Sequence, residues 1–61
     1  MRFNDYHKNV SAALKLNDDE ARKWRTFMLR CFTRRLTVNA CLTLTRMEVE
    51  KARVDATPVN S

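Results

Sequence analysis

Apolar side chains recur at helical spacing through the middle of this chain. Six of them in residues 21–36, ARKWRTFMLRCFTRRL, fall on one face of a helix drawn at about 100° per residue: Ala21, Trp24, Phe27, Met28, Cys31 and Phe32. Three cations, Lys23, Arg30 and Arg34, fall together on another face. The pattern predicts one main helix that is apolar on one side and basic on another.

A second helical pattern lies nearer the start, in residues 3–16. Its apolar residues repeat at spacings of three and four: Phe3, Tyr6, Val10, Ala13 and Leu14. The repeat predicts an amphipathic helix that begins near Asn4 or Asp5. So short a helix is marginal unless it packs against the apolar face of the main helix. Asn17 and Glu20 have the spacing of a capping box, which predicts that a new helix begins there.

Residues 36–45 fit two structures. Apolar and polar residues alternate strictly, as in a strand, but no second strand-like run exists in the chain to pair with it. The alternative, which we favour, is a break near residues 37–39 followed by a third helix capped by Asn39. Four apolar residues share one face of that helix: Ala40, Leu44, Met47 and Val54. Thr45 and Glu48 form a second capping-box match, which would start the final helix later.

The chain has 61 residues, enough for one domain, which we place at residues 1–54. Residues 55–61, DATPVNS, contain the one proline and small polar side chains, which predicts a flexible tail. A domain of this size hides only about 60% of the surface that its unfolded chain exposes. Such a domain usually needs a disulfide, a metal or a second subunit.

Of these three sources of added stability, a second subunit fits the sequence best. One histidine, two cysteines and no CxxC spacing do not make a zinc site, and we expect no cofactor. A disulfide between Cys31 and Cys41 is conceivable. We favour free thiols, because the opening MRFNDYHK lacks the apolar core of a signal peptide and so indicates a reducing cytosol.

We therefore expect an all-α domain of two or three helices, arranged as a helical hairpin and completed by homodimerisation. The residues expected in the dimer interface or the core are Trp24, Phe27, Met28, Cys31, Phe32 and Leu36.

The formal net charge of +5 attracts anionic partners. The cations expected to contact such a partner are Lys23, Arg30, Arg34, Arg22 and Arg35. We prefer an acidic protein, since arginine offers forked donors to carboxylates. Direct nucleic-acid binding is the alternative, and an ordinary solvated face also fits the charge. A helix-turn-helix over residues 36–53 would place its turn at residues 40–42, where glycine is absent.

Other function classes have weaker support. The main helix has the composition of an interfacial membrane helix, but acidic residues on both sides of it indicate a globular chain. No apolar run approaches the roughly 20 residues that span a bilayer. One histidine, no glycine-rich loop and no paired carboxylates on an apolar face leave no catalytic constellation, so we expect a non-enzyme.

The segments FNDYHKNVSAALKL and DDEARKWRTFMLRC resemble small helical accessory proteins encoded in the early regions of lambdoid bacteriophages. Such proteins redirect host or phage transcription and replication through protein contacts, often as homodimers. The resemblance therefore implies a non-enzymatic regulatory protein in the host cytoplasm. The resemblance is one of length and overall residue pattern across about half the chain, and it assigns no functional residue to any position.

Overall fold

Four helices form in the part of the chain that the computed structural model describes, residues 1–56, with side chains through residue 54. They are α1 (Phe3–Ala13), α2 (Asp18–Lys23), α3 (Arg25–Thr33) and α4 (Val38–Ala56). Residues 1–56 contain no strand, so the all-α prediction is confirmed. α4 continues past residue 55, the predicted start of the tail, and residues 57–61 of that tail lie outside the described residues.

α2 begins at the predicted capping box. Oδ1 of Asn17 accepts a hydrogen bond from the Glu20 amide at 2.8 Å, and Oε1 of Glu20 accepts one from the Asn17 amide at 3.2 Å. Asp18, Asp19 and Glu20 occupy the first turn, where the helix dipole favours negative charge. The prediction of a helix start at Asn17 is therefore confirmed.

The predicted main helix is divided at Trp24, whose backbone lies at φ −91° and ψ 4°. The Ala21 carbonyl accepts a hydrogen bond 2.8 Å long from Nε2 of His7 on α1. A side chain that engages a helix carbonyl in this way is a recognised cause of an interruption. One helix over residues 21–36 was therefore a wrong prediction, and the described residues form four helices where two or three were expected.

The connector between α1 and α2 begins with a Schellman motif. The Leu16 amide donates to the Ser11 carbonyl at 3.0 Å, and the Lys15 amide donates to the Ala12 carbonyl at 3.1 Å. Lys15 has a left-handed backbone, with φ 55°. Glycine usually occupies this position because it has no Cβ to clash, but the chain contains no glycine.

The connector between α3 and α4 repeats this geometry. The Leu36 amide donates to the Cys31 carbonyl at 3.1 Å, and the Arg35 amide donates to the Phe32 carbonyl at 2.9 Å. Arg35 is left-handed at φ 62°. Both connectors thus hold a basic residue in a backbone conformation that a Cβ disfavours.

Thr37 caps α4, in place of the predicted Asn39. The Ala40 amide donates to Oγ1 of Thr37 at 3.1 Å, and Asn39 lies in the first turn. The capping-box match at Thr45 and Glu48 lies inside α4 and starts no helix. The helical alternative for residues 36–45 therefore holds from Val38 onward, with a different cap.

The core forms where α1, α3 and α4 meet. Its buried apolar residues are Tyr6, Val10, Met28, Cys31 and Cys41. α1 packs against both α3 and α4, as expected for a helix too short to be stable alone. The other members of the predicted interface or core set are half-buried at the edge of this core: Trp24, Phe27, Phe32 and Leu36.

α4 presents two apolar faces, of which one enters the core. The buried positions are Cys41, Thr45 and Val49. The Thr45 hydroxyl lies 3.6 Å from the Cys41 sulfur, so its polar group has a partner in the core. The residues predicted to share a face lie on the solvent side, and three are exposed: Leu44 (43%), Met47 (61%) and Val54 (70%).

Candidate binding surface

The predicted cations lie on two helices and one connector. Arg22 and Lys23 are in the last turn of α2, whereas Arg30 is in the last turn of α3, with Arg34 and Arg35 directly after it. All five are exposed. The division of the main helix thus places Lys23 on a different element from Arg30 and Arg34.

The helix dipole gives these cations a structural role. Each lies near the C-terminal end of a helix, where partial negative charge favours cations. Lys23 also has its ammonium group 5.9 Å from the centroid of the Trp24 ring. Positive charge alone is therefore no sign of a partner. The apolar surface beside the end of α3 is the feature that this role does not explain.

A small cleft of about 160 Å³ separates α3 from α4. It is lined by Phe27, Arg30, Cys31, Arg34, Leu36 and Leu44. The Phe27 ring packs edge-on against Trp24, with centroids 5.8 Å apart. Leu44 belongs to the exposed face of α4, so the cleft opens onto that apolar face, and two arginines border it. We call it the α3–α4 cleft.

A larger pocket of about 550 Å³ also borders the connector between α3 and α4. It is lined by Met1, Tyr6, Phe32, Thr33, Arg35, Leu36, Thr37 and Val38. We call it the connector pocket. Together the two depressions bring Arg30, Arg34 and Arg35 next to apolar surface, whereas Arg22 and Lys23 line neither of them.

Tyr6 holds one wall of the connector pocket in place. Its hydroxyl donates to the Leu36 carbonyl at 2.9 Å, and its ring meets Phe32 edge-on with centroids 5.1 Å apart. Burial, with a smaller contribution from Cys41, raises the pKa of Tyr6 well above its ordinary value. The hydroxyl therefore stays protonated and remains a donor.

The cysteines are free and buried in the core, in agreement with the free-thiol interpretation. Burial and the neighbouring Cys41 raise the pKa of the Cys31 thiol to about 11. Cys31 is thus protonated at neutral pH and is not an activated nucleophile. Within the described residues, no three His, Cys, Asp or Glu side chains are grouped as a metal site would need.

Several features of this surface were not visible in the sequence pattern. The helix-turn-helix interpretation, which placed a turn at residues 40–42, was wrong, because these residues lie inside α4. The actual connector, residues 34–37, precedes α4 and lies close to the break predicted near residues 37–39. Its left-handed residue, Arg35, gave no signal in the sequence because it is not glycine. Among the described helices, none combines the length and apolar character of a membrane span.

Comparison with known proteins adds no relative: no family model, no curated protein and no solved structure matches the chain. The function is therefore inferred from the surface that the helices form.

Proposed function

We propose that this chain is a small non-enzymatic regulatory protein that binds an acidic segment of another protein at the end of α3. The resemblance to lambdoid phage accessory proteins suggests that the setting is the cytoplasm of a bacterial host and that the partner takes part in transcription or replication.

One observation carries the proposal. The α3–α4 cleft and the connector pocket both adjoin a single connector, and arginines border both of them: Arg30 and Arg34 at the cleft, Arg35 at the pocket. Exposed apolar surface rimmed by charge is typical of protein interaction sites. Carboxylates are a suitable counterpart because arginine donates to them in pairs.

A charge-reversal experiment tests this proposal. Arg30→Glu with Arg34→Glu changes two residues that border the cleft. Lys8→Glu with Lys51→Glu changes net charge by the same amount at exposed positions on α1 and α4. Each protein is immobilised and used to capture partners from bacterial lysate that has been treated with nuclease, and circular dichroism checks that helical content is unchanged.

We expect wild type and the Lys8/Lys51 variant to capture the same protein, and the Arg30/Arg34 variant to lose it. Capture that is equal in all three proteins, or equally lost in both variants, would contradict binding at the end of α3.

The same proposal includes homodimerisation of the α3–α4 hairpin. Leu44 and Met47 leave apolar area exposed on α4, and Leu44 lines the α3–α4 cleft together with the half-buried Phe27. A second copy could cover this area, since a symmetric interface uses one patch on both subunits. Met47→Asp should then give monomers in sedimentation, without unfolding because Met47 is 61% exposed. Wild-type protein that sediments as a monomer at high concentration would remove the dimer.

Direct nucleic-acid binding is the second candidate, and the net charge of +5 together with the exposed arginines favours it. Binding to phosphates releases counterions, so affinity for random duplex DNA should fall with salt at a logarithmic slope of about 0.9 per phosphate contacted. No binding at low salt would exclude this candidate.

A further inference from the structure

We infer that the connector pocket is the anchoring point for the acidic partner: it receives a bulky apolar side chain, and Arg35 pairs with a carboxylate beside that side chain. This inference rests on the proposed function and names the place and the chemistry of the contact.

The pocket has the size and lining of an anchor site. Its volume of about 550 Å³ lies within the 300–1,000 Å³ typical of ligand pockets. Tyr6 and Phe32 supply aromatic walls, and Leu36 and Val38 supply aliphatic ones. The bond from the Tyr6 hydroxyl to the Leu36 carbonyl fixes the walls before a partner arrives, which reduces the ordering that binding requires.

The polar groups of the pocket point to one kind of occupant. The Thr33 hydroxyl donates to the Leu29 carbonyl, and the Thr37 hydroxyl accepts from the Ala40 amide, so each already makes one hydrogen bond within the protein. Among the lining residues, all in the described part of the chain, Arg35 has the one charged side chain. An occupant therefore meets mostly apolar walls and the forked guanidinium of Arg35.

The start of α4 adds to the attraction for a carboxylate. Thr37 and Val38 line the pocket, and the N-terminal end of the 19-residue α4 carries partial positive charge. An apolar or aromatic residue next to Asp or Glu in the partner matches both parts of the pocket.

The left-handed backbone of Arg35 provides a matched comparison for the pocket. Arg35 and Lys15 occupy equivalent positions in the two Schellman motifs, and each is left-handed where glycine would be unstrained. The helix dipole favours positive charge at both. Their surroundings differ, because Lys15 borders a smaller depression of about 160 Å³ that is also lined by Glu50, Arg46 and Arg53. The pair therefore supplies a matched test of the pocket.

The first experiment compares Arg35→Gly with Lys15→Gly. Each variant removes one positive charge and the Cβ of a residue with a left-handed backbone, so both should melt at or above the melting temperature of wild type. The probe is a fluorescein-labelled peptide of repeated Asp-Phe and Glu-Leu pairs, followed by fluorescence anisotropy, beside its Asn-Phe and Gln-Leu counterpart. We expect Arg35→Gly to weaken binding of the acidic peptide about tenfold or more, since a charge-assisted contact is lost. Lys15→Gly should leave affinity within about twofold.

The second experiment tests the apolar half of the site. Thr33→Phe places a ring at the pocket from an exposed position, and Thr26→Phe places the same ring at an exposed position of α3 outside it. We expect Thr33→Phe to weaken the acidic peptide severalfold and Thr26→Phe to leave it unchanged.

The outcomes separate this inference from the proposed function. Wild-type protein that binds the acidic peptide no better than its amide counterpart overturns both. If wild-type protein prefers the acidic peptide but Arg35→Gly and Lys15→Gly bind it with equal affinity, the connector pocket alone is overturned. The α3–α4 cleft, bordered by Arg30 and Arg34, then remains as the site.

Discussion

Replacing Lys15 by glycine should stabilise the fold, although the substitution removes a side chain. A left-handed residue with a Cβ costs roughly 1–2 kcal/mol, and Lys15 is held at φ 55° by its Schellman hydrogen bonds. Glycine relieves this strain. Its greater backbone freedom also stabilises the unfolded state, which lowers the free energy of unfolding by roughly 0.5–1 kcal/mol. At the middle of both ranges the net gain is about 0.75 kcal/mol.

Lys15→Ala is the appropriate reference for this measurement. Both variants lose the lysine charge, which the C-terminal end of α1 stabilises by a few tenths of a kcal/mol, but only alanine keeps the Cβ. In thermal denaturation followed by circular dichroism, the glycine variant should melt about 3–6 °C above the alanine variant, given 4–8 °C per kcal/mol for a domain of this size.

A comparison of glycine with alanine at a helical position should change stability in the opposite direction. Ala13 is exposed and is the last residue of α1, so Ala13→Gly loses helix propensity without relieving strain. It should destabilise by up to about 1 kcal/mol. If the glycine variant at Lys15 melted at or below the alanine variant, the left-handed strain assigned to this connector would be refuted.

Three further predictions concern the core, a helix start and a thiol. Tyr6→Phe removes the donor to the Leu36 carbonyl and should cost about 1 kcal/mol in urea denaturation; an unchanged midpoint would show that the bond is not formed in solution. Asn17→Ala removes the cap of α2 and should also cost about 1 kcal/mol, whereas the exposed Asn9→Ala should cost much less. The pKa of Cys31 rises from its ordinary 9.0 to about 11, so ionisation favours the unfolded state, and stability should fall as pH rises from 9 through 11. Cys31→Ala should flatten this decline, and equal slopes would contradict the assignment.

The sequence pattern predicted the elements whose causes are local. Period-3.6 repeats place α1 and α3, and the reciprocal side-chain bonds of Asn17 and Glu20 need residues only three positions apart. The interruption at Trp24 could not be read in the same way. It coincides with a hydrogen bond from His7 to the Ala21 carbonyl, and that contact exists only after α1 has packed.

The faces of α4 show a second limit of periodicity. Leu44 and Met47 are more apolar than Thr45, yet Thr45 is buried and they are exposed. The Thr45 hydroxyl is satisfied by the Cys41 sulfur, which a hydropathy pattern does not count. The same limit applies to the binding surface: arginines at the end of α3 could be predicted, but the pockets beside them depend on how α1, α3 and the connector meet.

The two connectors also bear on why the chain contains arginine where glycine would be more stable. Helix dipoles account for positive charge at Lys15 and Arg35 alike, and strain disfavours both side chains alike. A purely structural role therefore predicts the same response to glycine at the two positions. If Arg35→Gly raises the melting temperature as Lys15→Gly does, yet it alone loses the acidic peptide, stability and binding are opposed at Arg35. The strained backbone at the end of α3 is then maintained by the contact that its guanidinium makes with a partner.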